Sequence, residues 1–153
     1  MKKLSILLTS MLASAAVLPA SAQAAPAKKS AAQVKWHPTY ASALAEAKRS
    51  GKPIFVDVFT TWCGPCKYLD AVTYKDPKFV AESRKWVMVK VDAEKGAQNI
   101  QLASKFRVTG YPTMLFLRPN GQEAGRAVGG YPANLLVPAM KKAGEKAGGG
   151  KSI

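Results

Sequence analysis

Cys63 and Cys66 are the only cysteines in the chain, separated by Gly64 and Pro65 in Thr61-Trp62-Cys63-Gly64-Pro65-Cys66-Lys67. Two thiols at this spacing could form a structural crosslink, a metal clip or a redox couple. Crosslink stabilisation grows with the loop it closes, and this loop is minimal, so the structural role is the weakest of the three. Zinc takes four ligands. The chain adds a single histidine, His37, which sits ahead of the first helix and reads as a solvated surface residue. A soft Cu(I) ion accepts two thiolates, which keeps a copper carrier as an alternative. A redox couple needs one thiol that ionises easily and a second within its reach. Gly64 and Pro65 suit a helix start. Unpaired N–H groups and the positive dipole end there favour a thiolate at Cys63. Cys66 follows one turn later on the same face, placed to release a partner held in a mixed disulfide at Cys63.

Such a pair has to be held where a strand runs into a helix. Residues 53–60, PIFVDVFT, are nearly all apolar, which predicts a central strand covered on both faces. Asp57 is the exception in that run. CKYLDAVTY predicts a helix starting near Gly64, and Asp76-Pro77 predicts a capped start for a second one, PKFVAES. Upstream, residues 34–36 predict a short edge strand, and Pro38 is expected to open a helix that Gly51 ends. Leu44 and Ala47 would face inward there, with Glu46, Lys48 and Arg49 outward. Downstream, strands are predicted at 86–91 and 113–118, with a loop over 92–98 and turn residues over 107–112. Between them runs a helix at 99–106, whose Ile100, Leu102, Ala103 and Phe106 are available for packing. Pro119-Asn120-Gly121 is a hairpin turn into an antiparallel return over 122–128. Gly129-Gly130 breaks that strand. A last helix runs from Pro132 to Ala147, with Pro138 at a kink position. This order gives an α/β fold: a small mixed sheet with helices on both faces.

The ends read differently. Met1-Lys2-Lys3, an uncharged stretch from Leu4 to Leu18 and the small residues Ala22-Gln23-Ala24 form the three parts of a secretory signal peptide over residues 1–24. The apolar stretch is too short to span a bilayer. Residues 25–33 read as a flexible linker, 34–147 as one domain, and 148–153 as a frayed tail. The chain carries +14, and removal of Lys2 and Lys3 with the signal leaves +12. That balance keeps an exported protein soluble and also attracts acidic partners or membrane surfaces. Nucleic acid is not an expected partner. Export places the cysteines in a periplasmic or secreted, oxidising setting.

VDVFTTWCGPCK, followed by Gly110-Tyr111-Pro112-Thr113 with Pro112 46 residues after Cys66, resembles the thioredoxin family over residues 34–147. CKYLDAVTYKDPKFV is similar to the thioredoxin-like periplasmic domain of membrane electron carriers. The resemblance implies a thiol–disulfide oxidoreductase with a thioredoxin fold and a redox-active Cys63–Cys66 disulfide. Cys63 attacks and Cys66 resolves. Asp57 is the buried carboxylate that takes the proton from Cys66. Pro112 follows a cis bond from Tyr111 and faces the disulfide. Trp62 and Tyr111 wall the site, Gly64 and Pro65 shape it, and Gly129 borders the substrate groove. The implied direction is reduction of protein disulfides, with an oxidant or isomerase on the same site as the alternative. The partners are protein thiols and disulfides and a membrane-bound or soluble redox partner, acting on a monomer. No cofactor and no metal is expected. The sequence departs from the family twice. The usual lysine partner of the carboxylate falls at Met88, with Lys90 one pleat along, and the helix-kinking proline is Ala71.

Overall fold

A computed structural model describes residues 33–148. The signal peptide, nearly all of the linker and the tail after Gly148 lie outside the described residues. Trp36–His37 form β1, and Tyr40–Ser50 form α1. Thr39 rather than Pro38 sets the helix start: its hydroxyl accepts from the Ser42 N–H at 3.1 Å and supplies a partner that proline lacks. Gly51 closes α1 at φ +70°, in the left-handed region that glycine enters without strain. The central strand β2 is Ile54–Phe59, and α2 follows as Gly64–Ala71.

That helix ends earlier than the sequence suggests. Val72 leaves helical geometry, and Thr73–Lys75 form one short 3-10 turn instead. The Thr73 hydroxyl donates to the Tyr131 carbonyl at 2.8 Å, which ties this turn to the segment before the last helix. Asp76 then caps α3, Pro77–Ser83, with its carboxylate accepting from the Lys78 N–H at 2.7 Å. The rest is β3 at Val87–Asp92, α4 at Ala97–Lys105, β4 at Thr113–Leu117, β5 at Glu123–Val128 and α5 at Ala133–Ala147. Ile100, in the first turn of α4, is half-exposed and leaves the packing to Leu102, Ala103 and Phe106.

The sheet order is β1-β3-β2-β4-β5. β2 pairs parallel with β3 and antiparallel with β4, and β5 pairs antiparallel with β4 at one edge. A strand flanked on both sides and covered on both faces must be apolar at every position, and β2 is, apart from Asp57. Its two faces join separate cores. Ile54, Val56 and Val58 pack with Val87, Val89 and Leu115 and with residues of α1 and α4. Phe55 packs on the other face with Met88, Met114 and Phe116 and with residues of α2, α3 and α5. Asp57 shares the Phe55 face by the two-residue period of a strand.

Candidate active site

The turn from β2 into α2 brings the two cysteines to the end of the sheet. Cys63 is the N-cap of α2, and its sulfur accepts from the Cys66 N–H at 3.2 Å. Pro65 occupies an early helical position, where a missing N–H costs nothing. The two sulfurs form a disulfide with an S–S distance of 2.06 Å, and each cysteine is only 3% exposed. Gly64 and Pro65 beside them are exposed.

Three further segments converge on this turn. The Tyr111–Pro112 peptide bond is cis. The Pro112 carbonyl accepts from the Gly129 N–H at 2.8 Å, and Gly129 sits at φ +112°, a conformation that favours glycine. The next residue has a different need. A Cβ on Gly130 would stand 3.1 Å from the Pro65 carbonyl oxygen and 3.2 Å from its Cβ, so any other residue here would press on the cysteine turn by a few tenths of an ångström. Trp62 is 65% exposed and forms a wall rather than core. Its ring meets the half-buried Tyr111 edge-on with centroids 6.0 Å apart. Its indole N–H donates to Glu94, whose two carboxylate oxygens lie at 3.0 and 3.1 Å.

Asp57 lies fully buried on the β2 face that α2 covers. Among the described residues neither of its carboxylate oxygens has a hydrogen-bond partner, and the buried Tyr74 hydroxyl has none either. Burial pushes the Asp57 carboxyl up to about 6, against the pull of the Lys90 charge. Tyr74 is raised well above its ordinary value, by burial first and then by Asp57.

Lys90, one pleat along from the usual lysine position at Met88, stands beside this carboxylate. The parallel register sets Lys90 beside Asp57 and Met88 beside Phe55. Lys90 Nζ stands 3.7 Å from Asp57 Oδ2, an ion pair rather than a hydrogen bond. The same ammonium pairs with Asp70 on α2. It also lies 4.7, 5.6 and 5.8 Å from the ring centroids of Phe59, Tyr74 and Trp36. The cation has moved one pleat and still faces the carboxylate.

These placements let the site carry out disulfide exchange. One sulfur lies at a helix start, a second is one turn away, and a buried carboxyl raised to about 6 lies on the sheet face that α2 covers. A protein-family model described as thioredoxin-like matches residues 35–119. The chain belongs to the thioredoxin-like family. It is 31% identical over 106 residues to a thioredoxin of Mycoplasmoides gallisepticum, covering 69% of this chain and 98% of that protein. Chloroplastic Thioredoxin Y of Oryza sativa subsp. japonica is 32% identical over 65% of this chain and 56% of its own length. The thiol:disulfide interchange protein DsbD of Klebsiella pneumoniae is 33% identical over 82% of this chain and 22% of its own length. The chain thus spans about half of the rice protein and about a fifth of DsbD. Among solved structures, a thioredoxin from Thermus thermophilus superposes with a TM-score of 0.65 at 26% identity, over 72% of this chain and 86% of that one. A DsbH oxidoreductase gives 0.64 at 27% identity, over 74% and 85%.

Four site neighbours escape a reading of the sequence. Glu94 stands 32 residues from Trp62, and no local pattern links them. Asp70 and Tyr74 look like ordinary helix-surface and core residues. Gly130 signals a strand break but not a close approach. The one available clue is Lys90, whose side-chain parity with Met88 places it on the Asp57 face.

Proposed function

We propose that the protein is an exported reductase of protein disulfides. The reduced Cys63 thiolate attacks one sulfur of a substrate disulfide. A mixed disulfide forms, and the other substrate sulfur leaves as a thiolate that takes up a proton. Cys66 passes its proton to Asp57 and attacks Cys63 Sγ. The Cys63–Cys66 disulfide forms, and the second substrate thiol is released. Two electrons pass from the cysteine pair to the substrate, and a membrane-bound or soluble redox partner returns them. No cofactor enters the cycle.

The observation that carries this reading is the Cys63 sulfur at the N-cap of α2, accepting the Cys66 N–H, with Asp57 buried behind the helix. The N-terminal sequence supports export: two lysines, an uncharged apolar stretch and Ala22-Gln23-Ala24. Gly129 and the Tyr111–Pro112 segment would line the path of an extended substrate, and Trp62 would cover one side.

The test is the equilibrium of the cysteine pair against a glutathione series. A value near the roughly −270 mV of a thioredoxin supports a reductase. A value near about −120 mV makes the site a disulfide donor and overturns the direction. Cys63→Ser should abolish disulfide reduction altogether, and a variant that keeps the full rate would remove Cys63 from the attacking role.

A further inference from the structure

At the end of the sheet opposite the cysteines lies a groove of about 450 Å³. Cations enter it from four segments. Lys35 and His37 come from the β1 region, Arg49 from the last turn of α1, Lys52 from the residues leading into β2, and Arg84 from the residue after α3. One carboxylate, Glu46, faces them, and it is already paired with Arg49 at 2.5 Å. With His37 neutral, the lining still carries a net +3. The Arg49 hydrogen bond holds the Glu46 carboxyl below its ordinary range, and the Arg49 and Lys52 charges act on it in the same direction. Lys52 is not free to swing away: its ammonium donates to the Arg84 carbonyl at 3.1 Å. Trp86, Val87 and Met88 also line the groove and are buried.

A concave site with this excess of charge wants a ligand with more than one negative charge. Two arginines and two lysines around one hollow fit a tetrahedral oxyanion, because guanidinium forks bind phosphate oxygens in pairs. The volume suits a small head group and is far below that of a folded partner. The position matters too. β2 has six residues, so this end lies about 20 Å from the cysteine turn along the strand. A ligand held here leaves the reactive pair uncovered.

We propose that this groove is a binding site for phosphate-bearing anions, separate from the redox site and independent of the direction in which the redox site runs. The phosphate could arrive free or as the head group of an anionic phospholipid. The chemistry is the same, and the experiment separates the sources. It would also give a purpose to part of the excess of basic residues in a chain whose net charge is +14.

Binding of inorganic phosphate is measured by calorimetry at low salt. Binding to phosphatidylglycerol–phosphatidylcholine vesicles is measured by sedimentation, with phosphatidylcholine alone as blank. The variants are Arg49→Gln/Arg84→Gln in the groove and Lys141→Gln/Lys142→Gln on α5, which remove equal charge. The first pair should weaken binding about tenfold or more and the second less than about twofold, with disulfide reduction unchanged in both. Phosphate that binds alone and displaces the vesicles supports a free anion as ligand. Vesicle binding that millimolar phosphate does not displace supports a lipid head group. No binding to either probe, or equal weakening by both double variants, overturns the proposal. Lys35→Gln provides a second groove variant should the arginine pair disturb the fold.

Discussion

Even-numbered residues of β2, Ile54, Val56 and Val58, enter an aliphatic layer beneath α1 and α4. Odd-numbered Phe55 and Asp57 enter a face rich in aromatic rings, under α2, α3 and α5. Among the described residues the first face is packed almost wholly by apolar side chains and carries no charged group in its core, with the buried hydroxyls of Thr113, beside Val58, and Thr60 only at its end. The second holds a buried carboxylate and a buried phenol that have no hydrogen-bond partner among the described residues, and a lysine shared by two acids. One strand thus separates stability from chemistry by a single residue of period. The aliphatic side keeps β2 fixed. The aromatic side accepts the cost of a buried charge beside the cysteine helix.

The largest effect should come from damage to the aliphatic side. Ile54→Ala removes buried methyl groups from a fully packed layer and should cost about 3–4 kcal/mol in denaturant unfolding. The potential of the cysteine pair and the rate of disulfide reduction at 25 °C should stay as they are. A shifted potential in this variant would show that the faces are coupled and break the comparison.

Asp57→Asn tests the other side and should raise stability. Burial keeps the proton on Asp57 up to about pH 6 in the folded chain, while the ordinary value is 3.8. The folded state holds the extra proton in that window. Stability is therefore full below about pH 3.8, falls as the pH climbs to about 6, and is level above. At pH 7 the asparagine variant should be more stable by ~3 kcal/mol, with the difference vanishing below pH 4. Resolution of the mixed disulfide should slow about tenfold or more. A variant that gains stability without losing speed would leave Asp57 as a mere burden on the fold.

Lys90→Met sharpens the same point at smaller scale. Lys90 opposes the effect of burial on Asp57, so its loss moves the carboxyl to still higher pH. Disulfide reduction should fall about fivefold at pH 6 and hardly change at pH 8, where Asp57 is ionised either way. An equal loss at both pH values would assign Lys90 a packing role among its three rings instead.

How far the sequence could be read follows the same division. The apolar run of residues 53–60 and the alternation of elements were enough for the sheet and its helices, because hydrophobic period is a local property. The cysteine turn was legible from spacing and helix-start residues. The end of α2 at Ala71 was not, since Val72 leaves helical geometry where the Thr73 hydroxyl bonds to the distant Tyr131 carbonyl. Lys90 was legible as to its face, through its parity with Met88, but its place directly opposite Asp57 depends on the β2–β3 register, which no single segment states. Gly130 needed the approach of Pro65 from another part of the chain.

The smallest effect concerns the rim, where Glu94 holds the Trp62 indole beside Tyr111. Glu94→Gln retains a carbonyl oxygen at the same reach, so the indole N–H keeps an acceptor and only the charge is lost. Reduction kinetics should then change less than about twofold. Glu94→Ala removes the acceptor. The bond is solvent-exposed and contributes about 1 kcal/mol or less, so KM for a protein disulfide should rise about threefold with kcat unchanged. Tryptophan fluorescence should respond to the alanine variant more than to the glutamine one, because only alanine frees the ring. If the alanine variant leaves KM alone while its fluorescence changes, the indole moves without consequence. Trp62 is then no part of the substrate wall, and the wall rests on Tyr111 and Pro112.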